Sequence, residues 1–241
     1  MPKPPKILRF ESELKLIKDM TESVREFTFS TPTDFAFSAG QFITLLFDAQ
    51  GKTIRRPYSI ASSPNEMEYI RLCIKRIDGG AGSAFLWNLH IGDKVKFIGP
   101  LGNFVAKKEQ HNNPLFFIST GTGVAPFASM IADLLENGFL HPVTLICGFR
   151  HDTLYHEQFL VLTKKYPNFL YKPILSRPRD DKQSQEIEHG RIQQIVERDI
   201  FTDDDDAQFY ICGLNEMIKQ TVSLLESKGI KKERIHFERY D

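Results

Sequence analysis

Two stretches of the sequence combine residue types at spacings that chemistry can use. The first, Leu115-Phe116-Phe117-Ile118-Ser119-Thr120-Gly121-Thr122-Gly123-Val124-Ala125-Pro126, reads as a strand, a tight glycine turn and a helix start. Gly121 and Gly123 let the backbone turn sharply and approach a ligand, and Pro126 suits a first helical turn, where a missing N–H costs nothing. Free amides at such a helix start attract an anion, of which phosphate or pyrophosphate is the natural choice. The turn lacks the third glycine of Gly-x-Gly-x-x-Gly and the Gly-Lys-Ser/Thr of a P-loop, so a tight turn without a ligand is the competing reading. The second stretch is Arg55-Arg56-Pro57-Tyr58-Ser59-Ile60-Ala61-Ser62-Ser63-Pro64. Arg56 can grip a phosphate, Tyr58 can lie along a flat ring and Ser59 can hydrogen-bond, with Pro57 stiffening the chain between them. An ordinary barrel strand is the alternative there.

The elements that must position these residues fall into two patterns. From 7 to 106, short apolar alternations recur at Glu13 to Met20, Val24 to Ser30, Gln41 to Phe47, Tyr58 to Ala61, Tyr69 to Arg76 and Lys94 to Ile98. Such spacing predicts an antiparallel β-barrel or sandwich. One short helix interrupts it, Ser83 to Leu89, with Ser83 as N-cap after Gly79-Gly80-Ala81-Gly82. Lys107 to Pro114 is polar and ends in Asn-Pro, which places a boundary between a domain at 1–108 and a domain at 114–241. Beyond it strands alternate with helices: strands Leu115 to Ser119, Val143 to Cys147, Phe169 to Leu175, Gln208 to Cys212 and Arg234 to Glu238, and helices Ala125 to Asn137, Thr153 to Tyr166, Arg191 to Asp199 and Asn215 to Lys228. That alternation predicts an α/β domain with a parallel five-stranded sheet.

Ligands of such sheets bind at the carboxyl ends of the strands. Arg150 lies in the stretch Gly148 to Arg150 after one predicted strand, Ser176 and Arg177 after the next, and Arg191 closes the third loop. Any one of these arginines reads most simply as a surface residue, but three beside a phosphate-type turn favour a phosphorylated ligand. The acidic run Asp203 to Asp206 reads as a solvated loop.

The whole chain narrows the function further. Its net charge is zero over 241 residues, with 41% hydrophobic and 26% charged residues, so composition points to a globular protein without a nucleic-acid partner. Residues 1–110 carry 16 Lys/Arg against 12 Asp/Glu, a slight basic excess that suits an acidic partner. Cys73, Cys147 and Cys212 are too few and too far apart for a disulfide framework, a zinc site or an iron-sulfur cluster, and no metal site is expected. The N-terminus has no signal-peptide core and nowhere do about 20 apolar residues run together, so a cytoplasmic protein without membrane insertion is expected.

Five motifs in order resemble the ferredoxin-NADP reductase family over nearly the whole chain. Arg56-x-Tyr58-Ser59 resembles its flavin signature, and Gly79 to Ser83 the loop that holds the flavin phosphates. Gly99-Pro100-Leu101-Gly102-Asn103-Phe104 resembles the close of its barrel, Gly121 to Pro126 its nicotinamide-nucleotide turn, and Cys212-Gly213-x-x-x-Met217 the segment beside the nicotinamide. The resemblance implies FAD and NADPH as cofactors, with NADH as the alternative. It implies that Arg56 contacts the flavin pyrophosphate, with Pro57 between it and Tyr58, which packs on the isoalloxazine, and that Ser59 bonds near the reactive nitrogen. Ile74 and Arg76 match positions on the adenylate side, and Gly82 and Ser83 the pyrophosphate loop. Gly121, Thr122, Gly123, Gly213 and Met217 match the nicotinamide-nucleotide site, and Cys212 a thiol lining it. Glu238 and Tyr240 resemble a Glu-x-Tyr ending whose ring covers the flavin, although Asp241 comes after it here. Arg150, Ser176, Arg177 and Arg191 fall where the bacterial NADPH-using branch holds the 2′-phosphate, and no acidic residue directly succeeds Leu175 to repel it.

The resemblance implies a flavoprotein oxidoreductase, expected as a monomer, with Ser59, Thr122, Cys212 and Glu238 tuning geometry and protonation. Its electron partner is expected to be ferredoxin or flavodoxin. The alternatives are an NADH-dependent reductase component of an oxygenase system, a free flavin or ferric reductase, and a nonenzymatic nucleotide-binding subunit.

Overall fold

Six antiparallel strands form from the alternating segments of the first half of the chain. In order, these are β1 (Leu8–Thr21), β2 (Val24–Ser30), β3 (Phe42–Ala49), β4 (Lys52–Ser59), β5 (Tyr69–Lys75), then helix α1 (Ala81–Trp87) and β6 (Lys94–Leu101). The computed structural model describes residues 6–49, 51–106, 112–200 and 206–240, with backbone alone at 182 and 183. The first five residues, 107–111 of the expected boundary, 203–205 of the acidic run and Asp241 lie outside the described residues. The sheet order is β4-β3-β6-β1-β2-β5. It curls until the chain just past β4 meets β5, through an Ile60–Leu72 bridge and a 2.8 Å bond from the Ala61 N–H to the Arg71 carbonyl. Inward-facing Leu14, Phe27, Phe29, Ile43, Leu45, Leu72 and Phe97 are fully buried. Each such side chain contributes about 1.5–3 kcal/mol by leaving water, enough to hold a curled sheet that has few helices to cover it.

β4 starts six residues before the predicted Tyr58 to Ala61. Its register with β3 runs from Ala49↔Lys52 to Phe42↔Ser59, yet Lys52, Arg55 and Arg56 are exposed. An edge strand needs no apolar alternation and tolerates a proline, here Pro57, so period gave no sign of it. α1 starts with Gly80 as N-cap rather than Ser83, which lies inside the helix.

The second half gives β7 (Leu115–Thr120), a 3-10 turn (Gly121–Val124), α2 (Ala125–Glu136), β8 (Val143–Phe149), α3 (His156–Lys165) and β9 (Phe169–Leu175). It continues with α4 (Lys182–Gln185), β10 (Glu188–His189), α5 (Ile192–Asp199), β11 (Gln208–Gly213), α6 (Asn215–Ser227) and β12 (Ile235–Arg239). All pairs in the sheet β10-β9-β8-β7-β11-β12 are parallel. The sheet therefore has six strands, not the expected five. The extra strand, β10, is two residues long inside the polar loop, too short for any period, and Arg198 pins its Glu188 at 2.6 Å. α3 begins at His156 instead of Thr153 because Tyr155 adopts a left-handed φ of 58° just before it. The central strands are near-continuous apolar runs because both faces are buried: Ile118, Ile146, Ile174 and Ile211 join Ile192, Ile195 and Ile218 from α5 and α6 in one core.

The described residues divide into two compact units: those up to Ala106 with Ala125–Asp133, and the remainder. Among the described residues no helix is long and apolar enough to cross a membrane.

Candidate active site

In the first unit, a glycine brings two elements together. A Cβ on Gly82 would lie 2.6 Å from the Tyr58 hydroxyl and 2.8 Å from Arg56 Cγ, so the first turn of α1 rests directly on β4. Arg56, Tyr58 and Gly82 are thus neighbours. Burial pushes the Tyr58 phenol up to about 12, against a smaller opposing pull from the Arg56 charge, so the ring keeps its proton. Among the described residues the Arg56 guanidinium bonds only to the Arg55 carbonyl, at 2.8 Å, leaving its fork open. Ser59 is buried at the end of β4 opposite Phe42, and Pro57 is exposed opposite Thr44. The Ser83 hydroxyl accepts the Ile77 N–H at 3.1 Å and reaches the Gly80 carbonyl at 3.1 Å, so it ties the glycine loop to itself. Ile74 sits in the barrel core, which leaves its backbone alone for any ligand, whereas Arg76 is exposed just past β5.

In the second unit the ends of β7 and β11 meet through glycines. A Cβ on Gly123 would lie inside contact distance of the Cys212 carbonyl and 2.9 Å from Gly213 Cα. One on Gly213, at φ 149°, would lie 2.5 Å from Thr120 Oγ1 and 2.8 Å from Met217 Cε. Gly121 is different: its φ is 55° and its Cβ would meet nothing within 4 Å, so it turns the chain beside open space. Thr122 comes next, half-buried. Met217 is buried in the core beneath Gly213.

Around this junction Ser119 Oγ, Thr120 Oγ1 and Asn215 Oδ1 are buried without a hydrogen-bond partner among the described residues. An orphaned buried polar atom costs about 1–3 kcal/mol, so three of them at one set of strand ends mark a place built for a polar ligand. The stretches that hold them were visible as strand ends in the sequence, but these three atoms were not, because nothing local says which hydroxyl will lack a partner.

Beside them, Cys212 is paired in register with Glu238 across β11 and β12, and the Tyr240 N–H bonds the Gly213 carbonyl at 3.0 Å. Burial first and the Glu238 charge second push the Cys212 thiol well up, while a hydrogen bond with Tyr240 acts the other way. Cys212 therefore presents a neutral S–H.

The arginines lie at the ends of β8, β9 and β10. Past the last β8–β9 pair, Ser176 donates its N–H at 2.9 Å and its hydroxyl at 3.1 Å to the Phe149 carbonyl, and the Arg177 N–H reaches the Arg150 carbonyl at 2.8 Å. The Gly190 N–H bonds the Leu175 carbonyl at 3.0 Å, which places Arg191 next on the same rim as the N-cap of α5. Among the described residues the Arg150 and Arg177 guanidinium groups have no partner, whereas Arg179 is paired with Asp152 at 3.1 Å.

Residues 11–105 match the oxidoreductase FAD-binding domain, and residues 117–223 the oxidoreductase NAD-binding domain. Over 242 aligned positions the chain is 31% identical to the ferredoxin-NADP reductase B of Sorangium cellulosum (strain So ce56), covering 96% of this chain and 98% of that one. The chain belongs to the ferredoxin-NADP reductase family. This reductase is also 33% identical to the phenol hydroxylase P5 protein of Acinetobacter pittii (strain PHEA-2), over 93% of its own length but only 63% of that protein's. It shares its fold with a ferredoxin NADP+ reductase from Neisseria gonorrhoeae solved with FAD and NADP, at a TM-score of 0.84 and 22% identity over 96% of this chain and 98% of that one.

The reductase is thus an oxidoreductase with an FAD-binding and a nicotinamide-nucleotide-binding domain. Its residues fit both groups. The open side of Gly121 and the three orphaned polar atoms leave hydrogen-bonding capacity at the strand ends, and Arg56 keeps a free guanidinium fork beside Tyr58. Among the described residues no group of three or more His, Cys, Asp or Glu side chains is arranged to hold a metal ion.

Proposed function

We propose that this reductase moves hydride between NADPH and FAD and single electrons between FAD and a separate carrier of the ferredoxin or flavodoxin type. Bound FAD supplies the exchange between a two-electron donor and a one-electron acceptor. Residues 1–108 hold the flavin and 114–241 the nicotinamide nucleotide. Arg56 binds the flavin pyrophosphate, Tyr58 flanks the ring as a neutral phenol, and Ser59 orients it. Gly82 allows the phosphate loop to approach, with Ser83 bracing that loop from within; Pro57, Ile74 and Arg76 shape the remainder of the flavin site. At the other end Thr122, the neutral Cys212 thiol and Glu238 orient the nicotinamide and hold a proton near it, with Gly121, Gly123, Gly213, Met217 and Tyr240 shaping the pocket.

One observation carries the preference for NADPH: Arg150 and Arg177, at adjacent strand ends, have guanidinium groups without a partner among the described residues. Two free forks on adjacent loops suit a dianionic 2′-phosphate, with Ser176 and Arg191 on the same rim. The protein works as a cytoplasmic monomer. Anaerobic mixing with NADPH or NADH, with flavin bleaching as the signal, tests this. Arg177→Ala is expected to raise the NADPH dissociation constant roughly 10- to 100-fold, the loss of one charged phosphate contact, and to leave that for NADH unchanged. Equal affinities in the unmodified protein would refute it.

The likeness to the reductase components of a phenol 2-monooxygenase and of a naphthalene 1,2-dioxygenase system supports a second reading, an NADH-dependent reductase component of an oxygenase system. Faster bleaching by NADH, and no turnover with a low-potential ferredoxin, would favour it.

A further inference from the structure

The two free arginines stand on loops that are fastened together beyond the strands that carry them. β8 and β9 stop pairing at Phe149↔Leu175, yet three more contacts close the gap between the loops. The Arg177 N–H donates to the Arg150 carbonyl at 2.8 Å, His151 Nδ1 stands 2.6 Å from the Arg177 carbonyl, and Arg179 pairs with Asp152 at 3.1 Å. A carbonyl oxygen only accepts, so Nδ1 of His151 carries the proton. Each of residues 150–152 is therefore tied to the facing loop, through Arg177 or Arg179.

These ties oppose a repulsion. Arg150 and Arg177 carry like charges on adjacent strand ends, and like charges directly opposite one another push apart. Without a fastening, two short loops would relax by splaying, and the guanidinium groups would separate until an anion drew them back. Arg179 would otherwise add a further free cation to the loop of Arg177. Its pairing with Asp152 cancels that charge and adds a second tie.

We propose that His151 is a positioning residue for the 2′-phosphate of NADPH: by holding the Arg177 carbonyl it fixes the spacing of the Arg150 and Arg177 side chains before the nucleotide arrives. The proposal rests on the NADPH reading above. The Asp152–Arg179 pair supports the same spacing from the outer side. His151 is exposed on a loop, so its removal leaves the cores of both units untouched.

The test compares His151→Ala, His151→Asn and Arg177→Ala in the flavin-loaded protein. Asparagine places an N–H near where Nδ1 stands, so it keeps the bond that alanine removes. The readouts are KM and kcat with NADPH and with NADH, and the calorimetric affinity for adenosine 2′-monophosphate against adenosine 5′-monophosphate. His151→Ala is expected to raise KM for NADPH and to weaken 2′-monophosphate binding roughly 5- to 10-fold with kcat retained, the size expected for misplaced binding groups; asparagine restores most of the loss. If Arg177→Ala weakens 2′-monophosphate binding and His151→Ala does not, the role of His151 is refuted while the NADPH reading stands. If Arg177→Ala has no effect on that binding, the NADPH reading fails first. Equal losses with NADPH and NADH, not restored by asparagine, would make His151 a structural loop residue and overturn the proposal.

Discussion

Apart from the open fork of Arg56, the proposed site residues of the barrel are held by contacts already made, and those of the parallel sheet by contacts withheld. On β4 and α1, Gly82 lies against Tyr58 and Arg56, the Ser83 hydroxyl is bonded inside its own loop, and Ile74 belongs to the core. At the strand ends of the sheet, by contrast, Ser119, Thr120 and Asn215 keep buried polar atoms, and Arg150 and Arg177 keep charges, without partners among the described residues. In the proposed barrel site packing sets the positions, and the Arg56 fork is left for a ligand. The sheet site carries an unmet hydrogen-bonding demand that a nucleotide can answer. This suits a flavin that stays and a nicotinamide nucleotide that comes and goes, because unanswered polar groups contribute to binding only while the ligand is there.

The largest expected break in this comparison comes from the two tight glycines. Gly123→Ala places a methyl against backbone of β11, which cannot swing aside as a side chain can, so a stability loss of about 2–4 kcal/mol is expected in thermal or urea unfolding. Gly82→Ala meets side-chain atoms instead, so the fold should survive while bound FAD is lost during gel filtration. Retention of flavin at unmodified levels would show that Tyr58 and Arg56 are not fixed by this approach.

Two serines sharpen the contrast because their signs should be opposite. Ser83→Ala removes a satisfied hydroxyl and strands the Ile77 N–H, at an expected cost of about 1–2 kcal/mol. Ser119→Ala removes an orphaned buried hydroxyl and is expected to raise stability by about 1 kcal/mol while raising KM for the nicotinamide nucleotide a few-fold. Denaturant titration checks both, and a destabilised Ser119→Ala protein would mean that its hydroxyl is already satisfied.

The smallest effect is a matter of pH. The Tyr58 phenol, raised by burial from 10.0 to about 12, holds its proton in the fold at pH values where the unfolded chain has lost it. Its contribution is complete below pH 10 and declines as pH rises towards 12. Tyr58→Phe should flatten that part of the stability curve, with the similarly raised Tyr210 left as background.

Much of the fold was legible because burial repeats along the chain. Period two marked β2, β3, β5 and β6 to within three residues and β1 from Glu13 on, five residues past its start, and apolar runs set between helical patterns marked β7, β8, β9, β11 and β12. β4 and β10 were missed or cut short for one reason: each is an edge strand with exposed, charged residues, stabilised by its register with a neighbour and not by a buried face of its own. The N-cap of α1 was misplaced because Ser83 has the right chemistry for a cap, but its hydroxyl is drawn back to Ile77.

The sequence by itself determined the two halves, the glycine turns and the order of motifs, since these depend on local conformational freedom and on periodicity that any stretch of chain displays. Which arginines are free and which are paired, which hydroxyls are orphaned, and that His151 holds the Arg177 carbonyl were decided only by the tertiary structure. Those facts depend on residues tens of positions apart arriving at the same strand ends, and a hydrogen bond over 2.6 Å leaves no trace in the spacing of the residues that make it.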